Sequence, residues 1–190
     1  MPLVWVTGNA GAGKSAVCEV LKERGELAVD ADNEGYHHWA DRTTGQVVTD
    51  PPDPVPAGWL DRFGWRISRA KVEALATRTA GRIAYFCGCP ENHNDVRDLF
   101  DLVICLVIDE DTLRHRLLTR TTNSFGKHPE ELAAALADNA YQHPGATLVD
   151  GTRPLPEVAD AILAAARRLA PPISRDRDAN SRDWDANSRD

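Results

Sequence analysis

Long apolar runs are missing from this chain of 190 residues. The longest, Leu102 to Ile108, falls far short of the roughly 20 residues that a membrane-spanning helix requires, so no membrane partner is expected. Positive charge is scarce as well: 22 Lys and Arg face 29 Asp and Glu, for a formal net charge of −7. Holding nucleic acid by phosphate neutralisation needs the opposite sign, and no nucleic-acid partner is expected. Paired cysteines are absent too. Cys18, Cys87, Cys89 and Cys105 contain no C-x-x-C spacing, which excludes a disulfide scaffold. Cys18 and Cys105 lie among apolar neighbours and read as small core residues. A zinc site built on Cys87, Cys89 and His93 would need a fourth ligand, such as His37 or His38. Reduced thiols in a cytoplasmic protein are the simpler expectation. The chain opens directly on a strand-like run, so no signal or transit peptide is expected.

What is present is a regular alternation. Short apolar strands are expected at Leu3–Thr7, Leu27–Val29, Arg82–Cys87, Leu102–Ile108 and Ala146–Val149. Helical spacing falls between them, at Lys14–Arg24, Glu110–Thr121, Pro129–Tyr141 and Leu155–Leu169. Strands alternating with helices imply a parallel sheet covered on both faces, with the continuously apolar Leu102–Ile108 strand near its centre. Asp41 to Phe63, rich in Pro, Gly and Asp, reads as a long loop, and a loop of that length in a compact domain is usually functional. Ser174 to Asp190 repeats DANSRD twice, with Trp184 as its only large apolar side chain. Residues 171–190 are therefore expected to be a disordered, low-complexity tail.

One motif carries chemistry. Gly8-Asn-Ala-Gly-Ala-Gly-Lys-Ser15 matches G-x-x-x-x-G-K-[ST], between an expected strand and an expected helix. Glycines let successive backbone N–H groups curl around a phosphate, and the helix N-terminus adds partial positive charge. Lys14 is expected on the β- and γ-phosphates and the Ser15 hydroxyl on Mg²⁺. ATP is thus expected on Gly8, Asn9, Ala10, Gly11, Ala12, Gly13, Lys14, Ser15 and Ala16.

Later features narrow the class. Asp30-Ala-Asp32 ends the second strand, and parallel strands aim their carboxyl ends at the site. Arg116 and Arg120, four apart, share a helix face, while Arg114 reads as a solvated charge. Asp150-Gly-Thr-Arg153-Pro154 follows the last strand. With these motifs the span from Pro2 to about Ala170 resembles the small P-loop kinases: shikimate and gluconate kinases, adenylate-kinase-like nucleotide kinases and related nucleoside kinases. The resemblance implies a three-layer α/β/α P-loop fold with a five-stranded parallel sheet and a helical lid. It implies a kinase domain over residues 1–170, with the lid near 116–130 and an acceptor-binding insertion near 33–80, between inserted helices. It further implies that Asp30 helps organise Mg²⁺, that Asp32 holds or deprotonates the acceptor hydroxyl, and that Arg116 and Arg120 close over the ATP phosphates. Arg153 and Pro154 would pack against the adenine, and Gly88 would touch the acceptor.

Rings and arginines are dense after Asp32, where Tyr36, Trp39, Arg62 and Trp65 are candidate acceptor contacts. His37 and His38 invite a catalytic role, but Asp32 is the better base. The expected activity is transfer of the ATP γ-phosphate to a small molecule, a nucleoside, nucleotide or other ring-bearing metabolite, by a monomer or homodimer. Alternatives stay open: a polyol kinase of the shikimate or gluconate type, an ATP-binding protein without turnover, and a nucleotide-switch ATPase. The third strand lacks the aspartate that many NTPases place there, and in a switch ATPase Glu110, after Asp109, would activate water instead.

Overall fold

In a computed structural model, described for residues 2–53, 55–79 and 81–169, the strands are β1 (Leu3–Gly8), β2 (Leu27–Asp30), β3 (His37–Asp41), β4 (Val47–Val48), β5 (Phe63–Ile67), β6 (Ala84–Cys87), β7 (Leu102–Val107) and β8 (Thr147–Asp150). The helices are α1 (Lys14–Glu23), α2 (Trp59–Arg62), α3 (Arg69–Arg78), α4 (Glu110–Thr119), α5 (Pro129–Asp138) and α6 (Leu155–Ala166). The expected low-complexity tail lies outside the described residues. None of the helices is long and apolar enough to cross a membrane.

Five strands form a parallel sheet in the order β2-β6-β1-β7-β8. Strand β1 stands at the centre, and β7, expected there, pairs between β1 and β8. Every residue of β1 is buried, which is why it carries no polar alternation. Successive side chains still part to opposite faces. Val4 and Val6 join one core with Val17 and Leu21 of α1 and Val158 and Ile162 of α6. Leu3 and Trp5 join the other, with Val72 and Leu75 of α3, Phe86 and Phe100. Helix α1 buries Lys14, Val17, Cys18 and Leu21, a spacing that puts all four on one face. The layers are therefore helix, sheet, helix, as expected.

The insertion departs from expectation. Asp41–Phe63 is not one loop, and the insertion is not made of helices alone. Strands β3, β4 and β5 form a second, antiparallel sheet in the order β4-β3-β5, with Trp39 opposite Trp65 and Asp41 opposite Phe63. The hairpin between β3 and β4 is built by Asp41, whose Oδ1 accepts the N–H groups of Thr43 and Thr44, each at 2.9 Å. Side-chain turns of this kind reverse a chain without any aliphatic pattern. Aromatic pairs supply the sheet's apolar contact instead, among them Trp39–Trp65 at 5.2 Å.

On the second core's face, His143 lies 4.7 Å from the rings of both Trp5 and His93 and is only 7% exposed. Burial, reinforced by the neighbouring charges of His93 and Arg97, holds its imidazole down at about 4. A histidine whose folded value lies below its unfolded one stabilises the fold above about pH 6.5, and that stabilisation is lost as pH falls toward the folded value. Urea unfolding should therefore show stability declining from pH 7 to pH 4, with His143→Phe reducing the decline by about 1–3 kcal/mol.

Candidate active site

The turn from β1 into α1 explains its own glycines. Gly8 has φ +141°, and a Cβ there would lie 2.6 Å from the Leu106 carbonyl oxygen. Gly13 has φ +103° and opens α1 from the left-handed region, which side chains disfavour. Lys14, 8% exposed, turns its ammonium back across the loop to donate to the carbonyls of Gly8 at 2.9 Å and Asn9 at 3.0 Å. Asn9 moors the loop to α5 by donating to Ala135 O at 2.6 Å, while its Oδ1 accepts the N–H of Ala10 at 2.7 Å. Ala10 packs on Leu113, Leu117 and Ala135 of the lid helices. Ser15 and Ala16, on the first turn of α1, are exposed.

Of the two arginines expected to close over the phosphates, Arg116 comes to this loop, while Arg120 bonds within the segment that follows α4. Arg116 donates to the carbonyls of Gly11 at 3.3 Å and Gly151 at 2.9 Å, and so straps the loop to the turn after β8. Arg120 is half-buried and donates to Phe125 O at 2.5 Å, while its Nε is buried without a partner among the described residues. Burial weighs against its charge, and the carboxylates of Glu131 and Asp32 support it. Glu131, itself 3% exposed, accepts the Gly126 N–H at 2.8 Å. The lid also touches the insertion: Ser124 donates to Asp53 at 3.0 Å, and Gly58 N–H donates to Glu130 at 2.8 Å.

Asp32 stands just past the end of β2. Its Oδ1 pairs with His37 Nδ1 at 2.6 Å and accepts the Trp65 indole N–H at 2.9 Å, leaving Oδ2 outside these bonds. Burial alone would raise this carboxyl. The hydrogen bond from His37, the charge of Lys14 and the Trp65 N–H outweigh it and hold the group at about 2. Asp32 is thus held as an anion of low basicity by its neighbours. Its companion Asp30 is 4% exposed and turned inward, accepting the N–H groups of Asp32 at 3.1 Å and Asn33 at 3.3 Å and the Asn33 amide at 2.9 Å. It holds the turn that carries Asp32.

Other expected contacts sit elsewhere. Tyr36 is buried, edge-on to Phe86 at 5.4 Å. Arg62 pairs with Asp41 at 2.9 Å, and Arg153 with Glu157 at 2.7 Å on the exposed face of α6, whose N-cap is Pro154. At Gly88 a Cβ would lie 2.9 Å from the His37 ring and 2.7 Å from Ala31, so this glycine makes room for His37. Trp65 is half-buried against Asp32, and Trp39 half-buried against Trp65. Asp109 caps α4 by accepting the Thr112 N–H at 2.7 Å, and Glu110 pairs with Arg114 at 3.0 Å on the surface. Both acidic groups of the expected hydrolytic alternative are thereby occupied. No group of three or more His, Cys, Asp or Glu able to hold a metal occurs among the described residues.

No protein-family model and no curated protein sequence matches the chain. Solved structures do. A gluconokinase from Sinorhizobium meliloti 1021 is 22% identical, covering 89% of this chain and 93% of its own, with a TM-score of 0.52. A sugar kinase from Janibacter sp. HTCC2649 is 17% identical, covering 90% and 96%, with a TM-score of 0.56. The chain has the fold of the P-loop small-molecule kinases.

Sequence reasoning undervalued one residue. His37, whose side chain is 0% exposed, fixes the Asp32 carboxylate, yet nothing in its neighbours identified β3 as a strand that would deliver it. An NMR titration should place the Asp32 carboxyl at about 2 in the native protein, and His37→Leu should raise it. Because the folded value lies below the unfolded one, the stabilisation by Asp32 is complete above about pH 4 and is lost as pH falls toward 2.

Proposed function

We propose that this protein is an ATP- and Mg²⁺-dependent phosphotransferase that moves the γ-phosphate of ATP to a hydroxyl of a small, ring-bearing molecule. The observation that carries it is the convergence of a glycine-rich loop and its lysine on a single fixed carboxylate. Gly8 ends β1 and Asp32 follows the end of β2, so the loop and the carboxylate stand at the same, carboxyl edge of the parallel sheet. The acceptor hydroxyl donates to Asp32 Oδ2 and is aimed at the γ-phosphorus. Its oxygen bonds to that phosphorus while the bond to the β,γ-bridging oxygen breaks, with the electron pair leaving on ADP. The proton passes to Asp32 Oδ2 and on to water. A loose transition state asks for positioning more than for a strong base, which suits a carboxylate of low basicity.

Lys14 and Arg120 supply positive charge where it develops on the transferring group and the leaving oxygens. Arg116 holds the loop in shape through its carbonyl contacts. The Ser15 hydroxyl is exposed and makes no hydrogen bond among the described residues, a hard oxygen donor that fits Mg²⁺. Held there, that ion would neutralise charge on the ATP phosphates. Asp30 serves through the turn it braces. The contacts of Ser124 and Glu130 with the insertion close a roof over the cleft, which favours transfer to the acceptor over transfer to water.

Lys14→Ala should lower transfer by about a thousandfold, with the melting temperature and circular dichroism little changed. Asp32→Asn should lower kcat while leaving the KM for ATP near its native value. Full activity of Lys14→Ala would remove the loop from the mechanism.

A further inference from the structure

The insertion is a wall with its cations already spoken for. Alternate residues of a strand share a face, so Trp39 of β3 and Trp65 of β5, which stand opposite one another, lie side by side with His37. The Trp65 indole begins at the Asp32 carboxylate, 2.9 Å from its Oδ1. Trp39 continues the wall 5.2 Å further, and Trp59 stands edge-on to Trp39 at 6.2 Å. The surface that leads away from the reacting hydroxyl is therefore indole.

Arginines are plentiful around this wall, and four of them, Arg42, Arg62, Arg66 and Arg69, pair with carboxylates of this chain. Arg42 pairs with Glu91 at 2.8 Å, Arg62 with Asp41 at 2.9 Å and Arg66 with Asp95 at 3.2 Å. Arg69 pairs with both Asp98 and Glu73. Lys71 donates to the Gly35 carbonyl, and Arg78 is exposed on the last residue of α3, where its charge is felt by the buried Tyr36. The cations that do reach the cleft, Lys14, Arg116 and Arg120, belong to the phosphate loop and the lid. An acceptor carrying a carboxylate or phosphate would set that charge against indoles and already neutralised guanidinium groups, beside the anion of Asp32. An uncompensated charge in such a place is strongly disfavoured.

We infer that the acceptor is an uncharged alcohol bearing a flat ring, of the nucleoside type, and not a sugar acid or a nucleotide. The inference rests on the phosphotransfer reading and narrows it to a substrate class. Trp39 and Trp59 stack on or flank the ring, Trp65 closes the end next to Asp32, and selectivity against anions comes from guanidinium groups beside the wall that are already paired with carboxylates.

The test is transfer from γ-labelled ATP by the full chain to matched acceptors: adenosine and thymidine, their 5′-monophosphates, and D-gluconate. The neutral nucleosides should be preferred over each anionic compound by about a hundredfold in kcat/KM. Trp39→Leu should raise the KM for the nucleoside about tenfold, more than it lowers kcat. Trp39→Arg, which adds an unpaired cation to the wall, should narrow the gap between nucleoside and monophosphate. Lys14-dependent transfer that favours gluconate or a monophosphate overturns the inference and leaves phosphotransfer standing. Transfer to none of these acceptors, with ATP hydrolysed in their absence, overturns phosphotransfer and the inference together.

Discussion

The carboxylate of Asp32 is the joint on which the two sheets meet. It emerges from the carboxyl end of the parallel sheet, yet two of its hydrogen-bond donors, His37 and Trp65, belong to the antiparallel one. A largely buried anion has to be satisfied by donors, and that requirement sets how the insertion is seated against the core. Behind it Asp30 stiffens the turn and Gly88 leaves room for the imidazole. The charge of Lys14 adds to what holds Asp32 ionised. Position, charge and access of the one oxygen outside these bonds all follow from that set of contacts.

Charge is distributed with the same economy. The chain carries a net charge of −7, but its acids are placed largely where they consume its bases on the surface and the insertion. Lys14, Arg116 and Arg120 are instead held by backbone carbonyls, which orient a cation without cancelling it. An acidic protein can thus present a locally positive site to a polyanion. Exposed ion pairs of this kind add little stability individually, so the pairing matters chiefly for what it leaves unavailable.

Much of the parallel sheet and the loop could be read from residue order. Leu3–Gly8, the glycines after it and the amphipathic spacing of α1 are local signals, and each falls where it was expected within a few residues. The insertion could not be read so. His37 to Asp41 and Phe63 to Ile67 lack aliphatic alternation, and their pairing spans residues far apart in the chain. Helix α3 was missed as well, since its polar face outweighs Val72 and Leu75. The candidate acceptor residues divided accordingly. Trp65 reached Asp32 and Trp39 packed against Trp65, whereas Tyr36 went into the core and Arg62 to Asp41.

What the sequence by itself determined is the glycine-rich half: a strand, a tight turn and a helix N-terminus, formed by backbone conformation and adjacent residues. Only the tertiary structure decided the insertion. There the meaning of each side chain depends on its partner, and a histidine, a tryptophan or an arginine reads alike in sequence whether it faces a ligand or a carboxylate of the same chain. Hydrogen bonds and ion pairs between distant segments made that choice: they hold Asp32 against His37 and Trp65, and they pair Arg62, a candidate ligand, with Asp41.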